Sequence, residues 1–247
     1  APDPIVPSRL FKNRELVIDF SLFVIIWGSF IAFITYIPMW AQGLLGLSAL
    51  LGGMTQIPGA VTNFIGSELV PFLQDRWGKY WIVTCGAASI FIAFLGILIA
   101  GERAPFWLLL TMGAFEGMGV GLVFNILQIS VQTDAELRDV PIATSMGYLL
   151  RILSQTLMAA AYGVILNNQL FKGVQHSHGI TMTMLNKLSN AETADSLPKA
   201  LVPTMRTILY NGYRDIVIAA IVLIVISLLI VIPLGWKHHL AAQQQQG

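Results

Sequence analysis

Charge is scarce in this chain: Asp, Glu, Lys and Arg make up 11 % of its 247 residues, and the formal net charge is +1. No basic cluster accompanies that balance, so the sequence offers no phosphate-reading surface and no nucleic acid as partner. Cysteine is nearly absent as well. The single Cys85, inside an apolar run, rules out an intrachain disulfide and a thiolate metal site and reads as small apolar filler. The His-x-His pair at His176 and His178 has no cysteine or second pair nearby to complete a metal site and reads as solvated loop. The apolar runs hold no histidine, no carboxylates paired at metal spacing and no phosphate cradle, which argues against an intramembrane enzyme and calls for no metal or cofactor. Residues 1–14 begin with Ala and lack the charged, apolar and cleavage regions of a signal peptide; they read as an excerpt from a longer chain.

What the chain has in abundance is long apolar runs, at 18–39, 50–73, 81–100, 106–130, 142–166 and 216–234. At about 1.5 Å of helical rise per residue, each is long enough to cross a hydrocarbon layer roughly 30 Å thick. A backbone in lipid must satisfy its own N–H and C=O groups, and helices do so. A hydrophobic content of 55 % fits the bilayer as solvent and partner. The expected fold is therefore an all-α membrane protein with six transmembrane helices. Its expected parts are a lead-in over 1–14, a helical body over 15–236 with one long loop over 167–213, and a tail over 237–247 with a low-complexity glutamine end. From 197 to 210 apolar residues recur at helical spacing, which predicts a short interfacial helix before the sixth span.

Basic residues resist translocation. Arg9, Lys12, Arg14, Arg76, Lys79, Arg138 and Lys237 fall on one side, and on the other Arg103 is the only basic residue outside the long loop. Both termini are then expected in the cytoplasm, with the chain in the plasma membrane. Trp40, Trp77, Trp81, Trp107 and Trp236 lie near predicted helix ends, where interfacial anchors belong.

Ionisable groups at membrane depth cost a few kcal/mol each and need a partner, a water-filled cavity or a function. Counted from opposite ends of their runs, Arg151 and Glu116 both fall near the midplane, which suggests an ion pair or a protonation site. Glu68 is expected near the cytoplasmic end of the second span; Asp19 and Asp215, near helix starts, suit the positive end of the dipole. Thr144, Tyr148, Arg151, Gln155, Met158 and Tyr162 form one stripe at 100° per residue, Gln56, Asn63 and Ser67 a second, and Asn125, Gln128 and Gln132 a third. Such seams either bind helix to helix or line an aqueous passage. Glu116 and Asn125, nine residues apart, lie on opposite faces, so one cavity could hold both only if the helix were distorted at Gly117, Gly119 and Gly121. Pro38, Pro58 and Pro71, with Gly52, Gly53, Gly59 and Gly66, mark places where helices bend or approach closely.

The segment Asp75-Arg76-Trp77-Gly78-Lys79 between the second and third runs resembles the short loop signature of the major facilitator superfamily, with Pro71 where that signature usually has glycine. Tyr36-x-Pro38-x-x-x-Gln42, Gly52-Gly53, Pro58-Gly59, Gly117-x-Gly119-x-Gly121, Pro141 and the Arg151 segment follow in order. Together they resemble the carboxyl-terminal half of fourteen-helix drug/proton antiporters. The resemblance implies two three-helix units in inverted repeat, a missing amino-terminal half as partner, and alternating access that exchanges protons for small amphipathic, often cationic substrates. It also implies a charge relay at Asp75, Arg76 and Lys79, with Gly78 allowing a tight reversal. The residues expected to line the cavity are Tyr36, Trp40, Gln56, Asn63, Asn125, Gln128, Tyr148, Arg151 and Gln155. An uptake transporter of the same superfamily and a nontransporting receptor or scaffold are the alternatives.

Overall fold

A computed structural model describes residues 8–194 and 196–244. Among these the chain is helical, without strands. A 3-10 turn over Ser8–Lys12 leads into α1 (Arg14–Gly43), then α2 (Ala49–Met54), α3 (Ile57–Ala100), α4 (Phe106–Asp134) and α5 (Val140–Gln175). Two short helices, α6 (Met182–Leu188) and α7 (Ala191–Ala194), precede α8 (Val202–Gln244).

Local chemistry sets the ends. Asn13 caps α1, its side chain accepting from the Glu15 N–H at 3.0 Å, and α3 and α5 each carry Pro in the first turn, where a missing N–H costs nothing. Inside α3, Gly78 has φ 69° and ψ 164°, a backbone that side-chain-bearing residues rarely adopt. Gly78 therefore divides α3 into two arms, 57–77 and 79–100. Asp75, Arg76 and Trp77 stay helical, so the expected loop shrinks to one residue.

With that break, five long apolar helices make six crossings among the described residues. Contacts give their directions. The first arm of α3 runs parallel to α4, with Gly59 beside Gly113 and Asn125 donating to the Ser67 carbonyl. The second arm runs antiparallel, with Gly86 beside Gly119 and Gly96 beside Met112. Helix α1 sits centrally: Tyr162 donates to the Gly28 carbonyl at 2.9 Å, Phe33 packs edge-on to Phe94, and Trp27 meets Phe124.

Lipid supplies no hydrophobic drive between helices, so close packing must hold them. Gly113, Gly117 and Gly121 repeat every fourth residue and form the face of α4 toward the first arm of α3. A β-carbon on Gly117 would lie 2.0 Å from the Gly59 carbonyl oxygen, and one on Gly121 2.2 Å from that of Asn63. Gly119 uses another face, against Gly86 and Ile90 of the second arm.

Two sequence expectations shift here. Helix α5 continues to Gln175 and α8 begins at Val202, so the connection is shorter than 167–213, and most of the short helix expected over 197–210 is the start of α8 itself. Helix α8 also runs through most of the expected tail, to Gln244; residues 245–247, like 1–7 of the lead-in, lie outside the described residues.

The outer faces are uneven. Helix α5 buries only Ala143, Gly147, Ser154, Tyr162 and Leu170, one stripe turned to α1 and its neighbours. The first arm of α3 buries only Gly59, Gly66 and Val70, leaving Ile57, Val61, Phe64 and Phe72 exposed.

Candidate functional site

Three arrangements gather the polar residues that a membrane helix would otherwise avoid. The first is a wall at Arg151. Tyr148 and Arg151 are three residues apart on α5 and share a face, and across from them stand Trp27 of α1 and Phe124 of α4. The guanidinium carbon lies 4.8 Å from the Tyr148 ring centre, 5.3 Å from Phe124 and 5.6 Å from Trp27. Ring faces attract a cation at such distances. No hydrogen-bond acceptor or carboxylate among the described residues meets the guanidinium, which is only half-buried.

Gln155, one turn along, and Gln128 of α4 are half-buried and likewise form no hydrogen bond among the described residues. Tyr148 is exposed at its rim. Asn125 is committed to packing, its side chain donating to the Ser67 carbonyl at 3.0 Å, while Ser67 donates to that of Gly121. Asn63 is half-buried and presents its backbone carbonyl to Gly121. Gln56 precedes the first turn of α3 and donates to Thr55 Oγ1 at 3.2 Å. The helix-gluing and passage-lining readings of these seams thus divide by residue.

Tyr36 and Trp40 stand apart from this wall. Trp40 stacks on Tyr213 and meets Tyr210 edge-on, and Tyr36 contacts Tyr162 and Tyr213, in a closed aromatic cluster where Trp40 is 1 % exposed. In this structure they line no open surface, and Trp40 is a core residue rather than an interfacial anchor. Trp77 and Trp107 are exposed beside the Gly78 break and at the start of α4, and Trp236 is exposed within α8.

The second arrangement is Glu116. It is 3 % exposed, Oε1 has no hydrogen-bond partner, and Oε2 lies 3.9 Å from where a β-carbon on Gly59 would sit. The ion pair with Arg151 does not form. Arg151 is level with Phe124, eight residues along α4 from Glu116, or roughly 12 Å of helical rise. The opposite-face conflict with Asn125 resolves without distortion, because α4 keeps helical geometry throughout. The first arm of α3 meets Glu116 at Gly59 and Asn125 at Ser67. Glu68 adjoins Ser67, is exposed, and lies about 15 Å from the Gly78 reversal, deeper than its sequence position suggests.

The third arrangement is a charge cluster where α1, α3, α4 and α8 converge. Lys79 Nζ reaches Asp19 Oδ1 at 3.0 Å, Asp134 Oδ2 at 3.0 Å and Glu15 Oε2 at 3.1 Å. The Ser130 hydroxyl lies 2.7 Å from Asp19 and 2.9 Å from Asp134, with one proton to share between them, Tyr80 donates to Glu15, and His238 lies 3.8 Å from Glu15. Gly78 makes this cluster by turning Lys79 back onto the bundle. Of the expected relay residues only Lys79 takes part; Asp75 and Arg76 are exposed and make no ion pair among the described residues. Asp19, expected to suit the positive end of the α1 dipole, is fully buried as a lysine partner. Glu15 was silent in the sequence, and Asp19 was legible only as a dipole partner, because Lys79 lies 64 and 60 residues from them along the chain.

Residues 1–159 match the family model described as Major Facilitator Superfamily. The chain belongs to that superfamily. Among its relatives are Multidrug resistance protein 3 of Bacillus subtilis, 24 % identical over 95 % of this chain and 48 % of the relative, and the Aspyridones efflux protein of Neocamarosporium betae, 24 % identical over 92 % of this chain and 41 % of the relative. MFS transporter L2 of a Phoma species is 25 % identical over 69 % of this chain and 29 % of the relative. The chain spans about half the length, or less, of these relatives. Membership, with the long apolar helices, makes this a multi-pass membrane protein.

Proposed function

We propose that this chain is the carboxyl-terminal half of a proton-coupled exporter of small amphipathic molecules that works by alternating access. The observation that carries the reading is Arg151, half-buried with Gln155 and beside the exposed Tyr148, on the least covered helix of the bundle. A cation there, short of acceptors, belongs beside water or a ligand rather than lipid. The uncovered faces of α5 and of the first α3 arm, the latter with Glu68 at depth, are where an amino-terminal half would stand, enclosing a passage walled by Arg151, Gln155, Gln128, Tyr148 and the free edges of Asn125, Asn63 and Gln56. In this reading the protein lies in the plasma membrane, both ends of the segment are cytoplasmic, and the Lys79 cluster is a cytoplasmic tie that loosens as the halves rock. The names of the efflux relatives support export over uptake, and the wall speaks for a transporter over a scaffold.

Glu116 is the group that protons would act on. With no cation beside it, its charge changes only by binding or releasing a proton, and an added charge against Gly59 alters the tightest helix contact in the fold. In the full-length protein reconstituted in vesicles, Glu116→Gln is expected to cut proton-driven dye flux at least tenfold while leaving dye exchange without a gradient within about twofold, since a proton-coupling carboxyl supplies drive rather than binding. Undiminished proton-driven flux would remove Glu116 from coupling. Absence of any gradient-driven flux in the unmodified protein would remove the transport reading.

A further inference from the structure

Arg151 sits among rings, but rings occupy none of its N–H donors in the plane of the guanidinium. A guanidinium carries five such donors in a flat fork matched to an oxyanion. Here none has an acceptor among the described residues, and the side chain is half-open to the face that α5 leaves uncovered. Neighbouring carboxylates are engaged elsewhere: Glu15, Asp19 and Asp134 hold Lys79, and Glu116 is sealed against Gly59 two turns away along α4. No ion pair joins Glu68 to Arg151. The wall therefore presents positive charge, aromatic planes from Trp27, Phe124 and Tyr148, and amides at Gln155 and Gln128 that can donate or accept.

We infer that this wall takes the anionic head of an aromatic amphiphile, a carboxylate, sulfonate or phenolate joined to a planar ring system. The inference rests on the transport reading and reverses the expectation of cationic substrates that the family resemblance carries. The oxyanion accepts two parallel hydrogen bonds from the guanidinium, which the three rings hold in place, and the ligand's own ring stacks against the exposed rim of Tyr148. A cationic head on the same ring system meets like charge at this position, and the exposed Glu68 stands on the first arm of α3 rather than in this wall.

The test uses the purified full-length protein in lipid nanodiscs and two xanthene dyes of matched ring size, anionic fluorescein and a cationic rhodamine ester, with binding read by fluorescence polarisation. The unmodified protein is expected to bind the anion more tightly. Arg151→Gln should raise its Kd roughly tenfold or more, as loss of a charge-assisted bidentate pair does, and leave the cation within about twofold. Should Arg151→Gln fail to fold, Arg151→Lys, which keeps the charge and loses the fork, must still weaken the anion more than the cation. Tighter binding of the cation by the unmodified protein, or equal weakening of both dyes by the Arg151 variant, overturns the inference and leaves transport standing if either dye is carried in vesicles. No binding and no flux of either dye overturns both.

Discussion

Replacing Gly117 by Val is expected to be among the most damaging single substitutions in the bundle. A β-carbon there would lie 2.0 Å from the Gly59 carbonyl oxygen and 2.6 Å from the Gly59 α-carbon, all backbone atoms that cannot rotate away. The helices must part by more than an ångström. That movement breaks the contact shared by Gly113 and Gly121, uncovers the donors that bind α3 to α4, and opens the seal around Glu116. Overpacking a close site costs about 1–3 kcal/mol and more where backbone opposes it, and helix pairs in lipid have little besides packing to lose. Thermal unfolding of the full-length protein in detergent should show the loss as a fall of many degrees. Gly163→Ala is the internal control. A β-carbon at Gly163 meets nothing within 4 Å, and alanine favours a helix over glycine, so this variant should be neutral or slightly stabilising. Equal behaviour of the two variants would contradict the packing argument.

The second large effect is expected at Lys79. Its ammonium is shared by Glu15, Asp19 and Asp134, and Asp19 has no solvent exposure. Lys79→Met leaves three carboxylates facing one another, and stranding a buried charge typically costs about 3–5 kcal/mol. Part of that cost should return when Asp19→Asn is added to Lys79→Met, because the most buried of the three charges is then gone. Melting temperatures of the single and double variants form the test. A Lys79→Met protein as stable as the original, or no recovery in the double variant, would show that the cluster contributes little.

Much of the fold was legible before any coordinates. Run lengths marked the crossings, and Trp77-Gly78-Lys79 marked the reversal, since only glycine accepts φ near +70° cheaply. The α5 stripe through Tyr148, Arg151 and Gln155 was legible too, because helical spacing is a property of one segment. What escaped depends on how segments sit against each other. Arg151 and Glu116 were given one depth by counting from the starts of apolar runs, yet the helices extend past those runs by different amounts, and Phe124 is the residue level with Arg151. Trp40 sits near a helix end, where an exposed anchor is the usual reading, but Tyr210 and Tyr213 of α8 cover it. The spacing of Gly113, Gly117 and Gly121 by four was a readable signal for the α3 contact, and the nearer repeat at 117, 119 and 121 obscured it.

The central claim is that the Arg151 face meets water and substrate rather than lipid or a sealed core. Cysteines placed at Tyr148 and Gln155, in full-length protein whose exposed Cys85 has been replaced by Ser, make that directly measurable with a membrane-impermeant thiol reagent. Labelling should proceed at both positions, slow when a bound dye occupies the wall, and change with the side of reagent addition when a proton gradient is imposed. If both positions stay unreactive from either side under every condition, the wall is closed packing, and no substrate passes along it.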